Sequence, residues 1–333
     1  MPNIKNLMHS WRSNFVTNGD EFMYYPLLRG RQNELLAIKE LLDASALSSK
    51  IVPVIEPVKL SPTLVNTLSA FSAAKYPIIL IRNPSVGSFG LDCKSSKNRS
   101  YLEKLKVLLA DNDLLQRGLI IGSKSPSTFA RWKANGISEE DVVALCQKPD
   151  DVKYYEETFG DVPPQKTMVP YASAFRRIRK NRILLDNKFN KKLRNKDYAD
   201  DEDEFFSEDH LFFEQDNYIG FSDYSIVGDE YVESGFAPYA VAIHIVYFDK
   251  DNVLRIHHFI SKDNEDISDP ANKFYQALQQ LVEWNKQMKL NTIAMRKFEE
   301  IYQNETYPGL GMVKRLSIMH HIELMGQFLD GDL

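Results

Sequence analysis

The residues best suited to chemistry are charged and amide side chains that follow short apolar runs. They are Arg29 and Arg31, Glu56, Arg82 with Asn83, Ser123 with Lys124, Gln147 with Lys148, Asp186, and Asp223 with Tyr224. His244 joins them, although it lies inside a long late apolar run rather than at its end. Arginine and lysine dominate the set, and a guanidinium grips phosphate or carboxylate through two parallel hydrogen bonds. The chemistry suggested is therefore acceptance of an anionic group, with Arg29, Glu56, Arg82 and Asp223 expected to line one pocket. Two arginines at one point repel each other, and Glu56 and Asp223 are the acids able to offset them. The competing reading is a satisfied ionic network that ties loops together and needs no ligand.

Other chemistries find less support. A metal-dependent hydrolase needs several converging carboxylates or histidines, and only Glu56, Asp186, Asp223 and His244 offer themselves, with no local motif. Phosphodiesterase barrels carry a histidine at the first corner, where this chain has Leu28. His257 and His258 are adjacent in a strand-like segment, so they face opposite ways. His320 and Glu323, three apart in a helical pattern, share a face without a third ligand. No metal site and no cofactor is assigned. There is no Gly-x-Ser-x-Gly elbow, and Cys93 and Cys146 lack a context that marks a nucleophile.

A repeated grammar positions the corner residues. Tyr24–Leu28, Ile51–Ile55, Pro77–Ile81, Gly118–Ile121 and Asp141–Leu145 are apolar runs, each followed by a polar corner and then a helical pattern. Ser61-Pro62 and Ser125-Pro126 open helices as a cap followed by proline in the first turn. Fully apolar strands alternating with helices are what a parallel sheet covered on both faces requires. The first corner reads Arg29-Gly30-Arg31-Gln32, with no Gly-rich phosphate turn to favour an open doubly wound sheet. The expected fold is α/β, a (β/α)8 TIM-barrel-like domain over residues 23–333, preceded by a polar leader over 1–22. In such a barrel the strand ends converge on one mouth.

The grammar loosens after residue 165. Residues 166–172 and Arg182–Leu185 each suit a sixth strand, and Tyr218–Phe221 a seventh. Pro238–Phe248 and Val253–Ser261, joined by Asp249-Lys250-Asp251-Asn252, predict a late β-hairpin. Helical patterns over Pro270–Met288, Thr292–Gln303 and Val313–Leu329 close the chain. From Phe175 to Lys196 there are ten Lys/Arg and one acid, and from Asp197 to Asp216 ten Asp/Glu and no Lys/Arg. That reversal predicts a charged insertion over about 190–216, mobile or projecting from the core. Its basic part could touch nucleic acid or phosphate, with the acidic part covering that arm or docking on a partner; the alternative is a helical excursion whose opposite charges pair with each other.

Tyr25-Pro26-Leu27-Leu28-Arg29-Gly30-Arg31-Gln32, followed by Ile51-Val52-Pro53-Val54-Ile55-Glu56-Pro57, resembles the opening of the bacterial and phage "beta protein" family. Gly220–Tyr224 through Gly228-Asp229-Glu230, Ala242-Ile243-His244, and Pro308–Gly311 through His320–Leu324 resemble an uncharacterised bacterial branch of it. The resemblance runs from about residue 22 onward. It implies a barrel-like fold and genes carried by phages, mobile elements and bacterial defence neighbourhoods. It supplies no catalytic residues to carry over.

Composition narrows the setting. Of 333 residues, 43% are hydrophobic and 26% charged, ordinary for a chain with a sizeable core. A net charge of −5 argues against a wholly nucleic-acid-binding surface and leaves a local basic patch open. Two cysteines without paired spacing, a charged N-terminus and no long apolar run predict a cytoplasmic protein that does not enter a membrane. Three functions of different class follow. One is an interaction or regulatory component of an anti-phage defence or mobile-element system, with a protein partner encoded nearby. Another is an enzyme acting on a phosphorylated small molecule or nucleic acid. The third is a sensor that binds such a ligand without turnover.

Overall fold

The computed structural model describes residues 23–110, 114–233 and 239–333. The expected leader over 1–22 and the start of the expected hairpin at Pro238 lie outside them. The first half of the chain alternates strand and helix: β1 (Leu27–Leu28), α1 (Gln32–Asp43), β2 (Val54–Ile55), α2 (Pro62–Ala73), β3 (Ile78–Ile81), short α3 (Phe89–Asp92), α4 (Arg99–Ala110), β4 (Leu115–Ile120), α5 (Ser125–Lys133), β5 (Val142–Leu145) and α6 (Asp151–Phe159). Ser61 caps α2 by accepting a hydrogen bond from the Leu64 amide at 3.2 Å, with Pro62 in the first turn.

Both candidates for the sixth strand are strands, β6 (Lys166–Val169) and β7 (Arg182–Asp186). Only a 3-10 turn at Ser173–Phe175 interrupts the loop joining them, so no covering helix separates the two signals. Next come β8 (Asp203–Ser207), α7 (Asp209–Phe212) and β9 (Gly220–Asp223). The eight strands β1-β2-β3-β4-β5-β6-β7-β9 pair in that order, all parallel. The ring closes where Tyr24 bridges Phe221: Tyr25 N–H donates to the Phe221 carbonyl at 2.9 Å, and Phe221 N–H to the Met23 carbonyl at 2.8 Å. Gly220 is needed at this seam, because a Cβ there would come within 2.8 Å of the Met23 oxygen and of the Tyr25 ring. The fold is a (β/α)8 TIM-barrel-like one.

Alternation along the strands sorts the side chains. Leu27, Val54, Ile79, Ile81, Val143, Leu145, Met168, Ile183 and Leu185 fill the lumen as one apolar cluster. Leu28, Ile55, Ile78, Leu80, Leu115, Leu119 and Leu184 pack outward in a second cluster that includes the helices. Each such fully buried aliphatic chain stabilises the fold by about 1.5–3 kcal/mol relative to exposure.

The hairpin is present as β10 (Ala242–Phe248) and β11 (Leu254–Ile260), antiparallel, with Asn252 at φ 61° in the turn. β8 pairs with β11, so the charged insertion supplies the third strand of a separate sheet. This corrects the expectation of a projecting segment. Tyr198, Phe206 and Phe213 are buried, and those aromatics anchor a stretch poor in aliphatic residues. Three helices follow: α8 (Pro270–Met288), α9 (Ile293–Gln303) and α10 (Leu310–Asp330). α10 takes the place of the eighth barrel helix and runs beside α1 in the same direction. Its Gly311 abuts Asn33 at the start of α1, and its Gly326 abuts Ser48 beyond the end of α1.

Candidate functional site

The corner after β1 and the corner after β2 meet at the barrel mouth. Arg29 forms a buried ion pair with Glu56 and donates its other terminal nitrogen to the Asp229 carbonyl. Its guanidinium lies 5.4 Å from the centre of the Tyr224 ring, while its Nε is buried without a partner. Glu56 is fully buried, and its Oε1 accepts from both the amide and the hydroxyl of Ser85 at 2.7 Å. The Tyr224 hydroxyl accepts from Gln147 Nε2 at 2.8 Å. Burial pushes the Tyr224 phenol up to about 12, against the opposing effects of Gln147 and Arg29. Asn83, after β3, donates to the Ile120 carbonyl at 2.7 Å and accepts from the Ile120 amide at 2.9 Å, extending the β3–β4 ladder by a side chain.

A strap of backbone, Gly228–Val232, crosses this mouth. Gly228 adopts φ 77°, a left-handed turn that suits glycine. Arg31 donates to the Val232 carbonyl and stacks over Tyr231 at 4.9 Å. Asn187 donates to Asp229 Oδ1 at 2.6 Å, and Lys191 pairs with Glu230 at 3.0 Å. Between the strap and the loop after β7 lies a cleft of about 340 Å³ lined by Asn187–Lys191 and Gly228–Glu230.

Four of the expected residues lie elsewhere, and parity explains three of them. Ile81 faces the lumen, so Arg82 faces the helices, next to Arg117. Burial and the Arg117 charge bring its guanidinium down to about 9, and its Nε is buried and unpartnered. Asp186 likewise points outward, where Lys188 links it to Asp209 at 3.0 and 2.9 Å. Asp223 is buried on the outer side of β9, accepting from the Tyr24 hydroxyl at 2.9 Å and the Ser225 amide at 2.7 Å. The expectation that Arg82 and Asp223 share a pocket with Arg29 and Glu56 is thus corrected. The fourth, His244, sits in the second sheet, its Nδ1 2.7 Å from that of His258, edge-on to Phe189 and Tyr198. Burial holds its imidazole well below the usual range, with His258 and Lys314 acting in the same direction.

Asp223 also belongs to a serine–histidine–aspartate set. Ser225 Oγ is 3.0 Å from His321 Nδ1, and His321 Nε2 is 3.7 Å from Asp223 Oδ2. All three residues are buried between β9 and α10, and the last distance exceeds a hydrogen bond. A nucleophile needs access to its substrate, so this set serves to pack α10 against the barrel. His320 is satisfied too: its Nε2 donates to the Val246 carbonyl at 2.7 Å and its Nδ1 accepts from Thr292 at 2.8 Å. Glu323 accepts from the Ile293 amide at 2.8 Å instead of sharing a ligand with His320. His257 and His258 face opposite ways, toward Asp203 at 3.2 Å and Glu204 at 3.3 Å. Among the described residues, no group of three or more His, Cys, Asp or Glu side chains is placed to hold a metal ion.

Sequence reasoning placed Lys191 only within a basic arm, and missed that Gly228–Val232 crosses the mouth as a strap, for which Gly228 was the available signal.

No family model matches the chain, and no curated protein matches it. Among solved structures, the chain is similar to the C-terminal domain of a "putative chitinase" from Desulfitobacterium hafniense DCB-2. That likeness has 10% identity, 93% of this chain and 99% of that chain covered, and a TM-score of 0.35. At that TM-score it carries no argument about function. No helix among the described residues is long and apolar enough to cross a membrane.

Proposed function

We propose that the protein is a cytoplasmic interaction or regulatory component of a bacterial anti-phage defence or mobile-element system, built on a barrel whose mouth accepts an anionic, phosphorylated ligand. The observation that supports the ligand is the behaviour of the first corner. Arg29 and Arg31 both aim guanidinium donors at carbonyl oxygens of one strap, Asp229 and Val232. Those oxygens stand where the oxygens of an anion would be held, at the end of a barrel where functional groups gather. The defence setting rests on the sequence resemblance alone.

The test is a thermal-shift and calorimetric survey of nucleotides, phosphosugars and short oligonucleotides, paired with co-purification against the products of neighbouring genes. At least one phosphorylated compound is expected to raise the wild-type Tm, and Arg31→Ala is expected to weaken its binding at least tenfold. Failure of every compound to bind would remove the ligand, and failure of every neighbour to co-purify would remove the interaction role.

A further inference from the structure

In a (β/α)8 barrel each strand is followed by a helix that covers the outer wall of the ring. Here β6 is followed only by the 3-10 turn at Ser173–Phe175, and the chain after β7 leaves to build the second sheet. What stands beside the outer wall of β7 is α7, a helix of four residues. The wall is left with a groove of about 460 Å³, to which β7 contributes outward-facing Leu184.

Two uncovered aromatic side chains flank the groove. Tyr171, from the β6–β7 loop, is 66% exposed, and Phe212, at the end of α7, is 41% exposed. Four carboxylates share the groove with them, Asp186, Glu208, Asp209 and Asp216, against a single cation, Lys188. Lys188 is already held between Asp186 and Asp209. The Glu208 and Asp216 carboxylates form no ion pair or hydrogen bond among the described residues. The basic residues further along the β6–β7 loop do not line the groove, and Arg177 pairs instead with Glu156 on α6 at 3.2 Å.

This chemistry selects one class of occupant. The excess of acid repels phosphate-bearing ligands and nucleic acid. Among the described residues no three of these acids converge on a point that could hold a metal ion. An extended organic cation fits, because a guanidinium or ammonium lies over aromatic faces while carboxylates accept its hydrogen bonds.

We infer that this groove docks a basic segment of a protein partner. One arginine or lysine sits between Tyr171 and Phe212, its aliphatic stem along Leu184 and its charge on Glu208 and Asp216. The inference rests on the interaction reading above and gives that interaction its surface. It also accounts for the acidic run over 197–216, which supplies Glu208, Asp209 and Asp216. Aromatic and arginine side chains are the usual anchors of a protein interface.

The test measures binding of a labelled peptide of alternating arginine and leucine to the full chain by fluorescence anisotropy. Saturable binding is expected, weakened at least tenfold by Glu208→Gln/Asp216→Asn and several-fold by Phe212→Ala. Glu140→Gln, at an exposed acid ahead of β5, should change nothing. The acid variant should keep the wild-type Tm, because neither carboxylate holds a partner in the fold. Added salt should erode the effect of the acids and preserve that of Phe212. No saturable binding by the wild type, or equal binding by the acid variant, would overturn the docking site. So would displacement of the peptide by spermine at equal affinity, which makes the occupant a small cation. Self-association lost in the acid variant would make it a second copy of the chain, and tighter peptide binding after deletion of residues 1–22 would make it the N-terminal segment; either overturns the partner. A neighbouring gene's product that co-purifies equally with wild type and acid variant would overturn the groove and leave the interaction reading standing.

Discussion

Replacing Glu56 with glutamine separates a tether from a ligand arm at the mouth. Glu56 is fully buried and both its oxygens are engaged, one by Ser85 twice at 2.7 Å and the other by Arg29. Glutamine keeps the shape and removes the charge. Arg29, itself buried, is then left with the Asp229 carbonyl and the Tyr224 ring face as its remaining contacts. Breaking a buried pair by removing one member costs about 3–5 kcal/mol, because the other charge stays desolvated. With a urea slope of about 3 kcal/mol/M, that loss lowers the unfolding midpoint by about 1 to 1.7 M. The assay is urea unfolding followed by far-UV circular dichroism. The double variant Arg29→Met/Glu56→Met should recover most of the loss, since an apolar pair of similar volume often replaces an ion pair at little cost. A loss under about 1 kcal/mol for Glu56→Gln, or a double variant as unstable as the two singles summed, would refute the tether reading.

Arg82 gives the opposite expectation: its Nε is buried without a partner and Arg117 stands beside it, so Arg82→Met should leave Tm unchanged or slightly raised, within about 1 kcal/mol. A loss above about 2 kcal/mol in thermal melts would show that the guanidinium is engaged. Burial holds His210, His258 and His320 near about 4, so between pH 4 and the unfolded value of 6.5 the native state binds fewer protons than the unfolded chain. Stability is therefore full above about pH 6.5 and falls as pH drops toward 4, by on the order of 3 kcal/mol per histidine; a flat Tm–pH profile over that window would contradict the burial.

The barrel was legible because its first five units are separated by clear corners, and Ser61-Pro62 marks a helix start without ambiguity. The site was legible only in part, for a physical reason. A strand buried on both faces is apolar at every position, so its sequence hides which residues face the lumen. Ile78-Ile79-Leu80-Ile81 gives no parity, and Arg82 points at the helices instead of the mouth; Ile183-Leu184-Leu185 likewise hides the outward face of Asp186. Glu56 and Arg29 escaped the error because both corners turn inward, where they pair. In the acidic block the acids masked a strand, and Phe205-Phe206, one exposed and one buried, was the period-two signal that survived.

The way the ring closes also follows from contacts distant in sequence. Its seam joins the first and last barrel strands, and β1 contributes only Leu27 and Leu28 to its pairing with β2. What holds the seam is the Tyr24–Phe221 bridge, the Tyr24–Asp223 hydrogen bond and the packing of α10 along α1. Each of these joins the start of the barrel sequence to its last strand or to α10, so none can form until the intervening units are in place. Closure is therefore a non-local step, and such contacts form only after the entropy of the long intervening loop has been offset by the packing they allow.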